Sequence, residues 1–285
     1  MGMTPRSQAI LVMLSGVLML VINDTAAKWL LSRYDPLQIA FVRSAVALPL
    51  VAVLTWRFGG FRSHRLRIHA LRALLVVLAT LAFFQSMRSL SLAEAASLLF
   101  TAPIIVAALV ASFVNERVGA RRWASVLLGF AGVLVIVRPG MEAFRPGSLH
   151  ALLAAFLYAL IMLSARWIDA RDGFWTMTFH MTVFSTLFGA VSLLADWPIV
   201  EAGDAGLFAI MAILGTGGAA LISQAFRMAP ATLVAPLDYT ALLWASLMGW
   251  LVWGTVPGWP VYAGATIIVA SGILLLRTED GCRSG

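Results

Sequence analysis

Apolar runs of about 20 residues follow one another along the chain, with only short polar breaks between them, and they limit what this sequence can fold into. A run of that length crosses the ~30 Å hydrocarbon layer as an α-helix, whereas a transmembrane barrel needs alternating segments of roughly ten residues. Within hydrocarbon every backbone N–H and C=O must find a partner in the chain, and a helix supplies those partners locally. The reading is an all-α membrane protein. Composition agrees: 61% of residues are hydrophobic and 12% charged, with a mean hydropathy of +0.93, against a charged share of roughly 25% in soluble domains.

Ten transmembrane helices are predicted, at about 8–31, 37–56, 71–90, 92–114, 122–138, 148–168, 174–195, 205–228, 231–253 and 260–277. Ten crossings put both termini on one side. The breaks on that side hold fourteen basic residues, the other side holds Arg33, Arg88, Arg138 and Arg145, and the intramembrane Lys28 and Arg43 complete the 20. The positive-inside rule then makes both termini cytoplasmic in a bacterial inner membrane protein. The net charge of +7 is this topology signal and gives no ground for a nucleic-acid partner. The first run follows Arg6 and has Ala26 and Ala27 where a signal peptidase would cut, but Asp24 and Lys28 suit an uncleaved first span better.

Local signals mark the helix starts. Ser91-Leu92-Ala93-Glu94 is a capping-box pattern, so Glu94 reads as a helix cap in preference to a transport carboxylate. Pro36 and Pro230 suit first-turn positions, where a missing N–H costs little. Tryptophans such as Trp29, Trp56, Trp167 and Trp259 fall near predicted helix ends, where an amphipathic ring prefers the headgroup layer. The run Gly215-Thr216-Gly217-Gly218-Ala219-Ala220 allows close helix packing or a bend, and close packing is the expected use.

Polar residues inside the apolar runs are the candidate site. Ionisable groups in a bilayer cost on the order of 2.5 to 3.5 kcal/mol each by insertion scales, so they persist where they pair or line an aqueous pathway. Asn23, Asp24 and Lys28 sit in the first span and Arg43 in the second. Lys28 also has a plainer reading, snorkelling to the interface. Asp24 and Arg43 lie roughly 10 Å from a helix end at about 1.5 Å per residue, at similar depths, and a close pair would keep the carboxylate ionised. In the other half, His180 and Asp238 each lie about seven residues past a cytoplasmic helix start. They form either a proton-coupling pair or a satisfied polar contact. Tyr158, Tyr239 and Trp244 lie deep, where they either pack between helices or line a substrate cavity. Deep aromatics and few ionic groups favour a small organic substrate that is uncharged or zwitterionic and flat, a vitamin of the riboflavin kind being one example.

Other chemistries find no residues. The chain has a single lysine and no GxxxxGK[ST] loop, so no nucleotide would drive it. His64, His69, His150 and His180 form no HExxH motif, and Cys282 stands alone, an idle tail thiol. No metal, cofactor or enzymatic activity is expected, and a channel or lipid scramblase is the remaining rival to a carrier. The partners expected are a small-molecule substrate and the lipid bilayer, with room left for a homodimer.

Sliding the chain on itself by 139 residues pairs Gln85 with Gln224, Arg88 with Arg227, Leu98 with Leu237, Thr101 with Thr240, Ala102 with Ala241 and Gly119 with Gly258. Two halves, 1–139 and 140–285, each with five helices, must then sit in opposite orientations. Inverted repeats of this kind characterise secondary transporters with a site near the midplane. Arg43, seven residues after Pro36, and His180, seven after Gly173, should line opposite mouths of one cavity.

Segment 94–139, with its apolar helix, Glu116-Arg117 at the break and then Gly129 and Gly132 before a basic end, resembles the end of an EamA domain of the drug/metabolite transporter superfamily. NDTAAKWL at 23–30 and Arg43 resemble the same family's first half, and two tandem domains fit the whole chain. Thr255 departs from the pattern at the place where the first half has Glu116. The resemblance implies a ten-helix inner-membrane carrier of small organic solutes such as amino acids, S-adenosylmethionine, riboflavin or purine-like metabolites, in either direction.

Overall fold

The computed structural model describes residues 5–113, 120–137, 145–164, 167–169, 171–195, 197–229 and 235–283. Glu116, Arg117, Arg138 and Pro230, together with the side chains of Arg227 and Cys282, lie outside the described residues. Among the described residues the regular structure is helical throughout, with no strand.

The first half holds α1 (Pro5–Leu30), α2 (Pro36–Phe58), α3 (Leu66–Met87), α4 (Leu92–Leu99), α5 (Ala102–Phe113) and α6 (Ala120–Val137). The second holds α7 (Gly147–Ser164), α8 (Phe174–Gly189), α9 (Ala202–Met228), α10 (Ala241–Trp253) and α11 (Trp259–Arg283). A 3-10 turn, Ala190–Leu194, extends α8, and another, Ala235–Thr240, precedes α10. Six of these segments are long and apolar enough to cross a membrane: α1, α2, α3, α7, α8 with its extension, and α9.

Caps explain the boundaries. Asp35 accepts the Leu37 amide at 2.9 Å ahead of Pro36, which starts α2. The capping box at α4 is complete: Ser91 Oγ accepts the Glu94 amide at 3.2 Å, and Glu94 Oε2 accepts the Ser91 amide at 2.7 Å. Gly254 ends α10 with φ of 64°, a left-handed conformation suited to glycine.

Two expectations are corrected. The fourth span is not one helix but is interrupted at Phe100 and Thr101. Pro103 has no N–H to give the Leu99 carbonyl, and Thr101 turns its hydroxyl back to the Leu98 carbonyl at 2.7 Å. The third helix begins at Leu66 instead of 71, so His69 stands inside it and Arg72 lies in its second turn instead of at its start.

Close backbone crossings hold the bundle. A Cβ on Gly16 would lie 3.0 Å from the Gly218 carbonyl, and one on Gly218 would lie 2.9 Å from the Gly16 carbonyl, so α1 and α9 touch backbone to backbone. Gly132 of α6 and Gly264 of α11 do the same, with the corresponding distances 2.8 and 2.6 Å. The glycine cluster of α9 therefore serves packing, within one unbroken helix. Phe84, Phe208, Met13, Leu30 and Ile39 are fully buried between the helices, while Trp56 and Trp259 are both 75% exposed at helix ends.

Candidate functional site

A cavity of about 510 Å³ opens between α1, α2, α3, α8 and α9, so each wall is one of the helices able to cross a membrane. Helical spacing sets its lining. On α8 the residues facing it are Phe174, Met177, Thr178, Met181, Thr182 and Ser185, a stripe at three- and four-residue steps. On α1 they are Leu20, Asn23 and Asp24, on α2 Arg43, Ser44 and Ala47, and on α3 Arg72 and Val76. Met211, Ala212, Gly215, Thr216 and Ala219 of α9 complete it.

Its polar groups are unevenly satisfied. Asn23 donates from Nδ2 to Asp24 Oδ1 at 2.9 Å. Its own Oδ1 is buried with no partner among the described residues, beside Gly215, where a Cβ would stand 3.2 Å away. Among the described residues Arg43 makes no hydrogen bond or ion pair, and its guanidinium lies 6.0 Å from the Phe84 ring centroid. The close ion pair of Asp24 with Arg43 expected from sequence is thus not made, although both side chains line the same space and each lies within electrostatic reach of the other. Arg72 gives one nitrogen to the Ile161 carbonyl and Ser164 Oγ, both at 2.7 Å. Thr178 and Thr182 donate their hydroxyls to the carbonyls one turn back, at 2.8 Å each, which leaves oxygen lone pairs for the cavity.

Other expected residues stand off the lining. Lys28 reaches the Met87 carbonyl at 2.7 Å and the Leu90 carbonyl at 2.5 Å, capping the end of α3, with the Trp253 ring 5.6 Å away. His180 does not line a mouth of the cavity, because it occupies the face of α8 beside the stripe. Its Nδ1 meets the Thr176 carbonyl at 2.8 Å, and its ring stacks on His69 at 5.5 Å. Nor does it meet Asp238, which sits on the 3-10 turn before α10 within electrostatic reach of Tyr158. Tyr239 packs edge-on to Phe100 at 5.2 Å, and Trp244 packs against the apolar cluster of Leu242 and Ala245 on one side and that of Met13 and Val17 on the other, its buried indole N–H without a partner among the described residues.

Polar latches tie the helices beyond both ends of the cavity. At one end Arg33 and Tyr34, on the α1–α2 turn, meet Asp204 at the start of α9 at 3.0 and 2.9 Å, and Gln38 donates to the Pro198 carbonyl at 2.9 Å. At the other, the buried Asp172 ahead of α8 accepts from Ser63, the His64 amide, the His64 ring and the His69 ring, at 2.9 to 3.2 Å. Burial pushes the Asp172 carboxyl up, but the hydrogen bonds from His64, His69 and Ser63 outweigh it and hold it well below the usual carboxylate range.

Sequence reasoning missed Arg72 and the Asp172 cluster. Arg72, at the very start of the span predicted from 71, reads as one more basic residue of the cytoplasmic side until α3 is started at Leu66. Asp172 meets partners more than 100 residues away, and no local pattern announces that.

Residues 7–138 and 145–277 each match the EamA-like transporter family. The chain is similar to a riboflavin transporter of Vibrio cholerae serotype O1, with 27% identity over 96% of this chain and 94% of that one. It is also similar to an S-adenosylmethionine uptake transporter of Rickettsia bellii (24% identity, covering 92% and 91%) and to a pseudopaline exporter of Pseudomonas aeruginosa (27%, covering 86% and 87%). A solved crystal structure shares its fold, with a TM-score of 0.62 at 16% identity over 94% of this chain and 96% of the other.

Proposed function

This chain belongs to the EamA-like transporter family, and from that premise we propose that it works as a secondary carrier by alternating access through the cavity between α1, α2, α3, α8 and α9. It is a small-molecule transporter and not an enzyme, a multi-pass protein of the bacterial inner membrane. The observation that carries the alternating-access reading is the pair of latches, one beyond each end of a single cavity.

The proposed architecture is ten membrane helices in two inverted halves, 1–139 and 140–285, with α4 and α5 together forming one span and the 3-10 turn with α10 another. Two separate family matches support it. So does the 139-residue shift, which carries Thr101, hydroxyl to the Leu98 carbonyl, onto Thr240, hydroxyl to the Leu237 carbonyl. The same shift carries Phe100 onto Tyr239, and those two rings touch, as residues beside a two-fold axis would. It exchanges the α1–α9 contact with α3–α7, and the contact of Gly129 with Ser271 with that of Gly132 with Ile268. The latches follow: Arg33 and Asp172 occupy equivalent places on equivalent turns, with the charges reversed. The positive-inside count supports cytoplasmic termini, which puts the Asp172 latch inside and the Arg33 latch outside.

Asn23, Asp24 and Arg43 are the proposed pathway residues, and a gradient is the proposed driving force. The relatives' names support a small organic metabolite of the riboflavin, S-adenosylmethionine or pseudopaline kind. Counterflow in proteoliposomes tests the carrier: preloaded substrate should drive uphill entry of labelled substrate. A channel or scramblase would only dissipate the label gradient.

A further inference from the structure

The connection between α2 and α3 carries a charge that the bundle does not use. Arg57, Arg62, Arg65 and Arg67 are all exposed, and none of them makes an ion pair among the described residues. Arg65 gives one nitrogen to the Trp167 carbonyl at 3.3 Å, and the other three guanidinium groups have no hydrogen bond there. The acids close by are taken. Asp169, within electrostatic reach of His64, is held by Arg171 in two bonds of 2.9 Å, and the buried Asp172 by Ser63, His64 and His69.

The segment is tied down and shaped. Thr55 donates to the Trp175 carbonyl at 3.0 Å, Thr176 to the Gly60 carbonyl at 2.7 Å, and Phe61 packs edge-on to Phe179 at 4.8 Å, so the connection is fixed to the start of α8. With Ser63 and His64 pinned by Asp172, residues 63–68 line an open hollow of about 450 Å³ that includes Arg65 and Arg67.

Its surroundings match a lipid headgroup layer. Both α2 and α3 are able to cross a membrane, so their connection lies at one of its faces. Trp56, Phe58 and Phe61 stand exposed beside the arginines, and aromatic rings with basic groups are what such a layer retains. Arg67 also heads a stripe: exposed Leu71, Leu74 and Leu78 follow it at steps of four, three and four residues, so all four share one face of α3. A cation at the membrane surface, with apolar side chains running from it into the hydrocarbon, complements a whole lipid and not a free anion. A guanidinium fork takes two phosphate oxygens in parallel bonds. A zwitterionic headgroup would bring its own cation against four arginines, whereas a headgroup of net negative charge brings none.

We propose that the α2–α3 connection binds an anionic phospholipid of the phosphatidylglycerol type, its phosphodiester on Arg65 and Arg67 in the hollow and one acyl chain along Leu71, Leu74 and Leu78. The site needs the membrane setting alone; neither alternating access nor the side of the termini enters it.

The test uses the purified full chain in nanodiscs of dioleoyl phosphatidylcholine that contain a trace of a phosphatidylglycerol or a phosphatidylcholine probe, each with a photoactivatable diazirine in one acyl chain. Labelled peptides are mapped by mass spectrometry. The phosphatidylglycerol probe should concentrate its labels on residues 66–78, and unlabelled phosphatidylglycerol should compete them away where inorganic phosphate and glycerophosphoglycerol do not. Arg67→Gln should lower that labelling roughly fivefold, the scale of one basic side chain at an anionic surface, and Arg65→Gln with Arg67→Gln should lower it further. Arg67→Lys should keep most of it, and the melting temperature of Arg67→Gln in pure phosphatidylcholine should stay at the wild-type value because the side chain is exposed. Labels spread evenly over the lipid-facing helices, equal labelling of 66–78 by the two probes, or a folded double variant labelled like wild type would each overturn the proposal. Competition by inorganic phosphate as strong as that by the lipid would overturn it too, leaving a phosphate site without a lipid.

Discussion

Lys28 illustrates how a residue can be buried in a membrane helix for a reason that neither snorkelling nor transport supplies. Its ammonium takes the Met87 carbonyl, which the end of α3 leaves without a helical partner, and the Leu90 carbonyl of the turn that follows. Lys28→Met should cost about 2 kcal/mol, the scale of hydrogen bonds to a charged group, seen as a lower melting temperature in detergent. Transport per folded molecule should stay near wild type, and its collapse in well-folded protein would return Lys28 to the pathway. Glu94→Gln should be nearly silent, because glutamine completes the same capping box. The 3.6 Å contact of Glu94 with the exposed Arg145 is of a kind worth about 0–1 kcal/mol. A loss of transport at normal protein level would make Glu94 a working carboxylate. Of the cavity, Asn23, Asp24 and Arg43 were legible in sequence because a charge or an amide in an apolar run must be accounted for. Thr178, Thr182, Met177 and Met181 were not, since hydroxyl and thioether side chains sit in a membrane helix at little cost and look like packing. His180 misled because depth along a helix is readable from sequence while the face it occupies depends on which neighbour packs there.

Elements were legible where the chain punctuates itself, as at Asp35-Pro36 and Ser91 to Glu94, and less so where tertiary contacts decide. The start of α3 at Leu66 is one such case, as its first turns are held by His69 on Asp172 and Arg72 on Ile161. That helix start is also half of a latch with a defined pH response. The Asp172 carboxyl is held below its ordinary value, so its stabilisation is complete above an unfolded pKa of about 3.9 and is lost only as pH falls through the lower folded value. Between pH 8 and 5 Asp172 therefore stays ionised and keeps its bonds to Ser63, His64 and His69. Asp172→Asn should lower hydrogen-exchange protection of segments 63–67 and 171–175 at neutral pH. Unchanged protection in a folded variant would show that the carboxylate does not hold the latch.

At the scale of the whole molecule, the two latches and the cavity between them act as a unit only if opening one end leaves the other closed. Arg33 reaches Asp204 at 3.0 Å with about half its side chain exposed, whereas Asp172 is fully buried under His69. Removing a partner of a buried charged pair typically costs about 3 to 5 kcal/mol, and an exposed one far less. The Asp172 latch should therefore be the stronger, and its loss should shift the resting population more. A cysteine at Thr178, on the cavity wall, in a Cys282→Ser background, reports this through a membrane-impermeant thiol reagent applied to either side of oriented vesicles. Asp172→Asn should raise labelling from the side of the termini several-fold and lower it from the opposite side. Arg33→Gln should do the reverse by a smaller factor, and both variants should slow counterflow, since a carrier held open at one end completes fewer cycles. Reciprocal changes would be those of alternating access, with the direction of each fixing the orientation in the membrane. Labelling that rises from both sides in a single variant, together with dissipation of the solute gradient, would instead describe a pore gated twice, and the inverted-repeat carrier would have to be abandoned.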